Sequence, residues 1–246
     1  MELLPMNDMT SVNRHNALRC FTLAIKPNAQ QPGWLSVWRR EFANTNVALT
    51  DRQEESMARL LPLLLCGEQS AILIFGSEVE RLQGASWRES IALLSAIETD
   101  EYGHEQALQE LSSMLMVPAD LHQIKRRAQL FYLSIGKAAG LDNHFANISQ
   151  LDACVALLMH AVANSGLGRG HCIAHLFDRI KQDEARHVVI SRQHFLKLGG
   201  DKDIFTQSRN TISHALVSLL SSEASSFENL GIDPDQLFAT LTKGNY

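Results

Sequence analysis

The sequence contains only four cysteines, and none of them forms a C-x-x-C pair. Cys20, Cys66, Cys154 and Cys172 are far apart along the chain. This spacing disfavours a zinc or iron–sulfur site and suits reduced, buried thiols in a cytoplasmic protein. A basic segment followed by an apolar run is also missing at the N-terminus, so no signal peptide is predicted.

Long apolar runs are absent as well. The longest, from Leu60 to Cys66, is interrupted by Pro62 and is far too short to cross a bilayer. The net charge of −5 and the pI near 6.0 argue against broad nucleic-acid binding. No composition shift, repeat or low-complexity segment marks a second domain, so residues 1–246 are predicted to form one domain.

Strand-like alternation is missing and helical periodicity runs through nearly the whole chain, which predicts an all-α fold. Capping boxes at Thr50/Gln53 and Ser86/Glu89 predict where two long helices begin. The expected long helices cover about 51–83, 87–116, 142–164 and the segment from the turn at 165–168 to Gly199-Gly200. Shorter helices are expected at 34–42, 119–137, 204–222 and 234–242.

A five-residue pattern, Asp-Glu-x-x-His, occurs twice, as Asp100-Glu101-x-x-His104 and as Asp183-Glu184-x-x-His187. A chain of this composition would contain fewer than one copy by chance. Glu and His three residues apart lie on one face of a helix, so each copy offers a carboxylate and an imidazole to one point. Two such helices and two further acidic helices form the di-iron site of some four-helix bundles.

The first helix of each hairpin should bring a carboxylate level with the motif on the second. Glu101 lies 15 residues after Ser86, roughly 22 Å along a helix at about 1.5 Å per residue. Counting 15 residues back from Gln83 leads to Glu68. Glu68 also falls within an apolar stripe, where an unpaired carboxylate would be costly, so it is predicted to be a ligand.

In the second hairpin Glu184 lies 16 residues after Gly168, and counting 13 to 16 residues back from Ser165 leads to residues 149–152, where Asp152 is the only acidic residue. Asp152 shares a stripe with apolar residues and is the favoured fourth carboxylate. The alternative is that Ser149 and Asp152 form a capping box on a helix that starts late.

The predicted metal ligands are four carboxylates and two imidazoles. This oxygen-rich set contains no thiolate and suits two iron ions, with manganese or a mixed iron–manganese pair as alternatives. Glu68, Glu101 and Glu184 are also the candidate catalytic residues. The full set is Glu68, Glu101, His104, Asp152, Glu184 and His187.

Neighbouring polar residues have open alternatives. Asp100 and Asp183 could hold the ligating imidazoles in the right tautomer, or lie on solvated helix faces. Glu98, one turn before Glu101, could be an extra ligand or part of a surface salt bridge.

Four further histidines are weaker candidates. His160 and His194 face roughly inward and are favoured as packed residues over ligands. His171 and His175 have the spacing of a zinc pair, but they lie about half a turn away from Glu184 and are favoured as surface residues.

On these residues the chain resembles the ferritin-like di-iron carboxylate superfamily over roughly residues 51–198. The segment 183–187 is similar to the second motif of p-aminobenzoate N-oxygenases and acyl-carrier-protein desaturases. The resemblance implies a ferritin-like four-helix bundle with a long connection between helix pairs and additional helices within 1–50 and 201–246. The chain departs from these relatives at three positions: Asp152 replaces the usual Glu, Ile180 an N-oxygenase His, and Leu108 the radical Tyr of ribonucleotide reductases.

The resemblance implies an O₂-activating non-haem di-iron oxygenase or hydroxylase acting on a small or carrier-bound organic substrate. No flavin motif or iron–sulfur cysteine cluster is present, so an external reductase or ferredoxin is the expected electron donor. One alternative is a di-iron oxidase, peroxidase or iron-handling protein, and another is a non-catalytic, metal-stabilised binding bundle. A homodimer is also possible.

Overall fold

A computed structural model describes residues 19–23, 32–44, 48–84, 87–137 and 140–243. Throughout these residues the regular structure is helical, which confirms the all-α prediction. The helices are α1 Gly33–Asn44, α2 Asp51–Leu82, α3 Arg88–Ser113, α4 Leu121–Ile135, α5 Leu141–Ala163, α6 Cys172–Lys197, α7 Lys202–Leu220, α8 Ala224–Asn229 and α9 Pro234–Lys243.

Local sequence signals set several of these boundaries. Thr50 and Gln53 form the predicted reciprocal capping box at the start of α2. Gly199, with φ +91°, lies just beyond the end of α6 in the left-handed conformation that glycine adopts without strain. Ser86, the other predicted capping residue, lies outside the described residues.

The four longest helices pack as two hairpins. Helix α2 packs along α3, and α5 packs along α6, while contacts between α3 and α6 join the hairpins. The connection between α3 and α5 contains its own helix, α4, which packs on α2. Helix α1 covers part of α6, and α7 covers α5. The hydrophobic core therefore lies between α2, α3, α5 and α6, whose inner faces carry both motifs.

Helix α2 begins at Asp51 and continues past Pro62. One element of the fold differs from the sequence expectations. The short helix α8 was not predicted, because its segment is rich in serine. Tertiary contacts hold it in place, since Phe227 is fully buried and the buried Glu223 just before it pairs with Arg59.

Two helices, α2 and α5, are long and apolar enough to cross a membrane if length and composition alone are considered. Most of the apolar window in each is buried inside the fold, as in the core helices of a soluble protein.

Candidate metal centre

Three helices bring four of the predicted ligands to one point. Ligand atoms of Glu68 on α2, Glu101 and His104 on α3, and Glu184 on α6 all lie within 4.8 Å of one another. All four side chains are buried. Such a group could hold a metal ion, because buried carboxylates and imidazoles at this spacing otherwise have few partners to offset the loss of water.

Glu101 lies between the two motif histidines. Its Oε2 is 3.4 Å from Nδ1 of His104, and its Oε1 is 3.1 Å from Nδ1 of His187. Glu184 lies nearby, with Oε2 3.9 Å from the same His187 nitrogen. The Nδ1 atoms of both histidines therefore face the carboxylates, and Glu101 offers one oxygen to each side.

Two buried atoms in this group lie near charged neighbours but make no well-directed hydrogen bond among the described residues. They are Oε2 of Glu101 and Nδ1 of His187. A buried polar atom without a well-directed hydrogen bond is costly, and coordination to a metal would satisfy both atoms. The donor set therefore fits a metal ion better than it fits a purely structural polar network.

The aspartate of each motif contacts the histidine of the other motif. Oδ2 of Asp183 lies 3.3 Å from Nε2 of His104, and Oδ2 of Asp100 lies 3.3 Å from Nε2 of His187. Each aspartate thus accepts a hydrogen bond from the histidine of the other motif. This leaves Nδ1 of each ring facing the carboxylates, and it favours an imidazole-orienting role for the buried Asp183 and the partly buried Asp100 over a solvated position.

Arginines hold these aspartates in turn. Arg186, the fourth residue of the second motif, contacts Asp100 across the bundle and lies 3.0 Å from Asp183. Arg179 donates to the same oxygen of Asp183, Oδ1, at 2.7 Å. One cation therefore bridges the two aspartates and fixes the relative positions of α3 and α6.

Asp152 faces the same centre from α5. It is buried, lines a cavity shared with Glu68, Glu101 and Glu184, and accepts a hydrogen bond from Ser191 at 3.1 Å. Helix α5 begins at Leu141, so Asp152 lies in the helix interior and the capping alternative is wrong. Its role as a ligand stays a prediction.

The carboxylates of the centre differ in their affinity for protons. Burial raises the pKa of Glu68 to about 8, and the negative charge of Glu101 acts in the same direction. Burial and the charge of Glu101 also raise the pKa of Glu184 well above its usual range. Burial raises the pKa of Asp152 to about 7, although the nearby His187 acts against this.

Glu101 behaves in the opposite way. Burial opposes its ionisation, but a hydrogen bond from Glu68 and the charge of His187 outweigh burial and place its pKa well below the usual range. Burial likewise opposes the charging of His187, but Glu101 and Asp100 raise its pKa to about 10. The Glu68 charge and the hydrogen bond to Asp183 likewise raise the pKa of His104 against the effect of burial, so proton binding by both imidazoles is favoured in the metal-free centre.

An apolar cavity of about 40 Å³ adjoins the carboxylates. A cavity of this size holds only a few water-sized molecules. Phe75 and Met159 line it. The remaining apolar wall residues are Leu64, Ala71, Ile74, Ile148, Leu151 and Val155.

Two weaker candidates on α3 and α6 are buried outside the metal cluster. His194 pairs with Glu78, its Nε2 2.5 Å from Oε1, and packs edge-on against Phe145 at 4.5 Å between ring centroids. Glu98 is buried and packs against Gly76.

The other three histidines lie towards the surface. His160 is exposed and contacts Asn164, so its predicted inward orientation is wrong. His171 caps the start of α6, where its ring accepts a hydrogen bond from the backbone N–H of Ile173. His175 is exposed and pairs with Glu41, in agreement with the surface interpretation of the pair.

Three residues near the centre carry no signal in the sequence. Tyr132 on α4 lines the cavity, and Trp34 on α1 lies 5.9 Å from the His104 ring between centroids. Ser191, the donor to Asp152, lies one turn after His187 on α6. Their proximity depends on how helices pack, and only the rotation of one helix against another places them at the site.

Comparisons with protein-family models, with curated proteins and with solved structures give no match for this chain.

Proposed function

We propose that this chain is a ferritin-like di-iron protein that activates O₂ to oxidise an organic substrate. The observation that carries the proposal is the position of Glu101, with one carboxylate oxygen facing the Nδ1 atom of each motif histidine. A carboxylate placed in this way is suited to bridge two metals, each bound by one imidazole. The six residues predicted as ligands, called the six-residue centre below, all face this region.

The chain's own residues would hold and orient the metals. Glu68 and Asp152 approach from the first helices of the two hairpins, and Glu184 approaches from the second motif. Asp183 and Asp100 hold the rings of His104 and His187 by their Nε2 atoms. A pair of irons would supply the site for O₂ and the electrons that reduce it.

The surroundings of the centre support oxidation chemistry. The adjoining cavity is walled mainly by apolar side chains, which limit the access of bulk water. Glu68, Glu101, Asp152 and Glu184 are the charged residues that line it. When one oxygen atom of O₂ is inserted into a substrate, the other atom is reduced to water by two electrons from an external donor. The chain carries no flavin or iron–sulfur motif, so we propose a separate reductase or ferredoxin as that donor.

The size of the cavity favours a second candidate function. About 40 Å³ admits O₂ or peroxide but not a larger organic molecule without movement of the walls. A di-iron oxidase, a peroxidase or an iron-handling protein would need no larger space. A metal-stabilised bundle without catalytic activity is the third possibility.

Metal analysis combined with O₂ uptake tests the proposal. Iron-reconstituted protein should contain about two iron atoms per chain, and the reduced protein should consume O₂. Glu101→Ala should lose both properties, whereas Glu110→Gln, a change on the same helix at a residue paired with Arg39, should retain both.

Different results separate the three functions. Faster O₂ consumption on addition of an organic substrate supports the oxygenase, and rapid consumption without any organic substrate supports the oxidase or iron-handling alternative. Protein that binds iron but is inert to O₂ in both conditions supports the non-catalytic bundle. Protein that binds only zinc contradicts the two di-iron functions and supports the non-catalytic bundle, whereas protein that binds no metal contradicts all three.

A further inference from the structure

A groove runs between α2 and α5, the first helices of the two hairpins. Helix α2 packs on α3 and α4, and α5 packs on α6 and α7, whereas α2 and α5 make few close contacts with each other. The apolar cavity of about 40 Å³ beside the six-residue centre, called the inner cavity below, lies in this groove between residues 64–75 of α2 and 148–159 of α5.

A second pocket opens farther along the same groove, between residues 73–81 of α2 and 141–145 of α5. This outer pocket has a volume of about 350 Å³. Ile74 lines both the outer pocket and the inner cavity. It lies six residues after Glu68, roughly 9 Å along the helix at about 1.5 Å per residue. The half-buried side chain of Ile74 therefore stands between the outer pocket and the carboxylates of the centre.

The outer pocket has the size and the apolar walls of a small-molecule site. Leu73, Ile74, Leu141 and Phe145 form most of its lining. Leu73 and Leu141 are exposed to solvent in the free protein, so an apolar ligand would remove their surfaces from water. Pockets of about 300 Å³ or more hold organic ligands, whereas the inner cavity is too small for one.

The two charged residues of the outer pocket neutralise each other. Nε and Nη2 of Arg81 each donate to one carboxylate oxygen of Glu78, both at 2.6 Å, and His194 also contacts this carboxylate. Burial lowers the pKa of His144, so its ring is uncharged near neutral pH. The hydroxyl of Ser77 and the neutral ring of His144 are then the polar groups suited to orient a ligand.

We propose that the outer pocket binds an uncharged, mainly apolar organic molecule with one hydrogen-bonding group, and that Ile74 controls its passage to the six-residue centre. The inference rests on the proposed function, because it gives a site to the organic substrate that the inner cavity cannot hold. A change of the Ile74 side-chain conformation would join the two spaces, since both lie in one groove. The inner end of the bound molecule would then approach the carboxylates.

Photolabelling with benzophenone tests the outer pocket. Benzophenone is uncharged and mainly apolar, carries one carbonyl acceptor, and under ultraviolet light bonds covalently to nearby C–H groups. The purified full-length chain is irradiated with it, without added reductant, and the labelled residues are mapped. We expect labels at residues 73–74 and 141–145, and weaker labelling there by 4-benzoylbenzoate, the negatively charged analogue. Labels confined to other segments, or stronger labelling by the anion, would overturn the proposal.

Variants that fill the outer pocket make the outcome specific. Ser77→Trp, a change at an exposed wall position, should abolish labelling of residues 141–145. Leu141→Trp fills the pocket from the opposite wall and should abolish labelling of residues 73–74, which keeps the test open if Ser77→Trp fails to fold. Gln83→Trp is the matched control, because Gln83 is exposed at the end of α2 and lies outside the pocket. Equal labelling of all three variants would contradict a site in this pocket.

The passage past Ile74 has its own test. Ile74→Ala removes most of the side chain that separates the two spaces, so the labels should extend to residues 151–155, which line the inner cavity. Labels that stay within 141–145 in this variant would overturn the role of Ile74. Because no reductant is added, labelling does not depend on whether the centre reacts with O₂. Failure of this inference is therefore distinct from failure of the proposed function, which O₂ uptake measures.

Discussion

His104 and Asp183 come from different copies of the same motif, yet they share a hydrogen bond of 3.3 Å between Nε2 and Oδ2. Asp100 and His187 form the matching contact in the other direction. Each helix that carries a ligating histidine therefore also supplies the group that orients the histidine of its partner. Displacement of α3 relative to α6 would disturb both imidazoles at once.

This exchange predicts that Asp183→Asn weakens metal binding without unfolding the chain. Residues that orient a ligating histidine typically contribute 10–100-fold to metal affinity, so we expect a loss of about that size. Competition with a chromophoric chelator measures it. Asp178→Asn is the matched control, because Asp178 lies on the same helix and pairs only with surface groups such as Lys181. Equal affinities for the two variants would contradict the orienting role.

Asp152 gives a prediction that separates a ligand from a structural residue. Asp152→Asn should reduce iron content or slow the reaction with O₂, while the metal-free variant at about pH 8 should be at least as stable as the unaltered protein. The physical reason is that burial raises the pKa of Asp152 to about 7, so its charge is unfavourable above that pH without a metal. Asp142→Asn, a change at the less buried start of the same helix, is the control for thermal unfolding and metal content. Unchanged iron stoichiometry and O₂ chemistry would place the fourth carboxylate elsewhere.

The raised pKa values predict that metal-free protein loses stability as the pH rises. Glu68 has a pKa of about 8 when folded and an ordinary value of 4.5, and His187 has about 10 against 6.5. At a pH between the ordinary and the folded pKa of either group, the folded chain binds a proton that the unfolded chain has released. The free energy of unfolding therefore falls as the pH rises through this range. Thermal unfolding in the presence of a chelator, at about pH 5.5 and about pH 8.5, should show the higher midpoint at the lower pH.

Metal binding should be linked to the same protons. Ligands must lose their protons to coordinate, so iron or manganese uptake should release protons, and the apparent affinity should rise with pH over this range. Calorimetry in two buffers of different ionisation enthalpy measures the number released. Glu68→Gln should release fewer protons than the unaltered chain. Metal uptake without proton release would show that the pKa values of the centre are not raised.

The pair of Glu78 and His194 predicts a structural role away from the metals. Arg81 and His194 together hold the pKa of Glu78 at about 2 against the effect of burial. Removing the imidazole in His194→Ala should cost about 2 kcal/mol of stability, because a buried carboxylate loses a partner. Iron content should be unchanged. His160→Ala, a change at an exposed histidine, should leave both stability and metal content unchanged, and loss of iron in His194→Ala would return His194 to the candidate ligands.

Local patterns in the sequence were sufficient to predict most of the long helices and the faces that carry the motifs. The capping box at Thr50, the glycine stop at Gly199 and the apolar periodicity depend on residues within one or two turns of each other, so they can be read from the sequence alone. The same holds for Glu101/His104 and Glu184/His187, whose spacing of three residues puts each pair on one helix face in any fold that keeps the helix. Even Glu68 followed from counting along two helices joined by a tight turn.

Packing between helices decided the remaining relationships. The contacts of Asp100 and Asp183 with each other's histidines, the hydrogen bond from the Cys20 backbone to Gln69 and the position of Tyr132 at the cavity all join elements that are distant in sequence. Each depends on the rotation and height of one helix against another, which many side chains set together. His160 and His194 show the limit of periodicity, since both were expected to face inward but only His194 is buried. The sequence by itself determined which helix faces carry the ligands, and the tertiary structure decided which of those faces meet, because meeting requires contacts that no single helix contains.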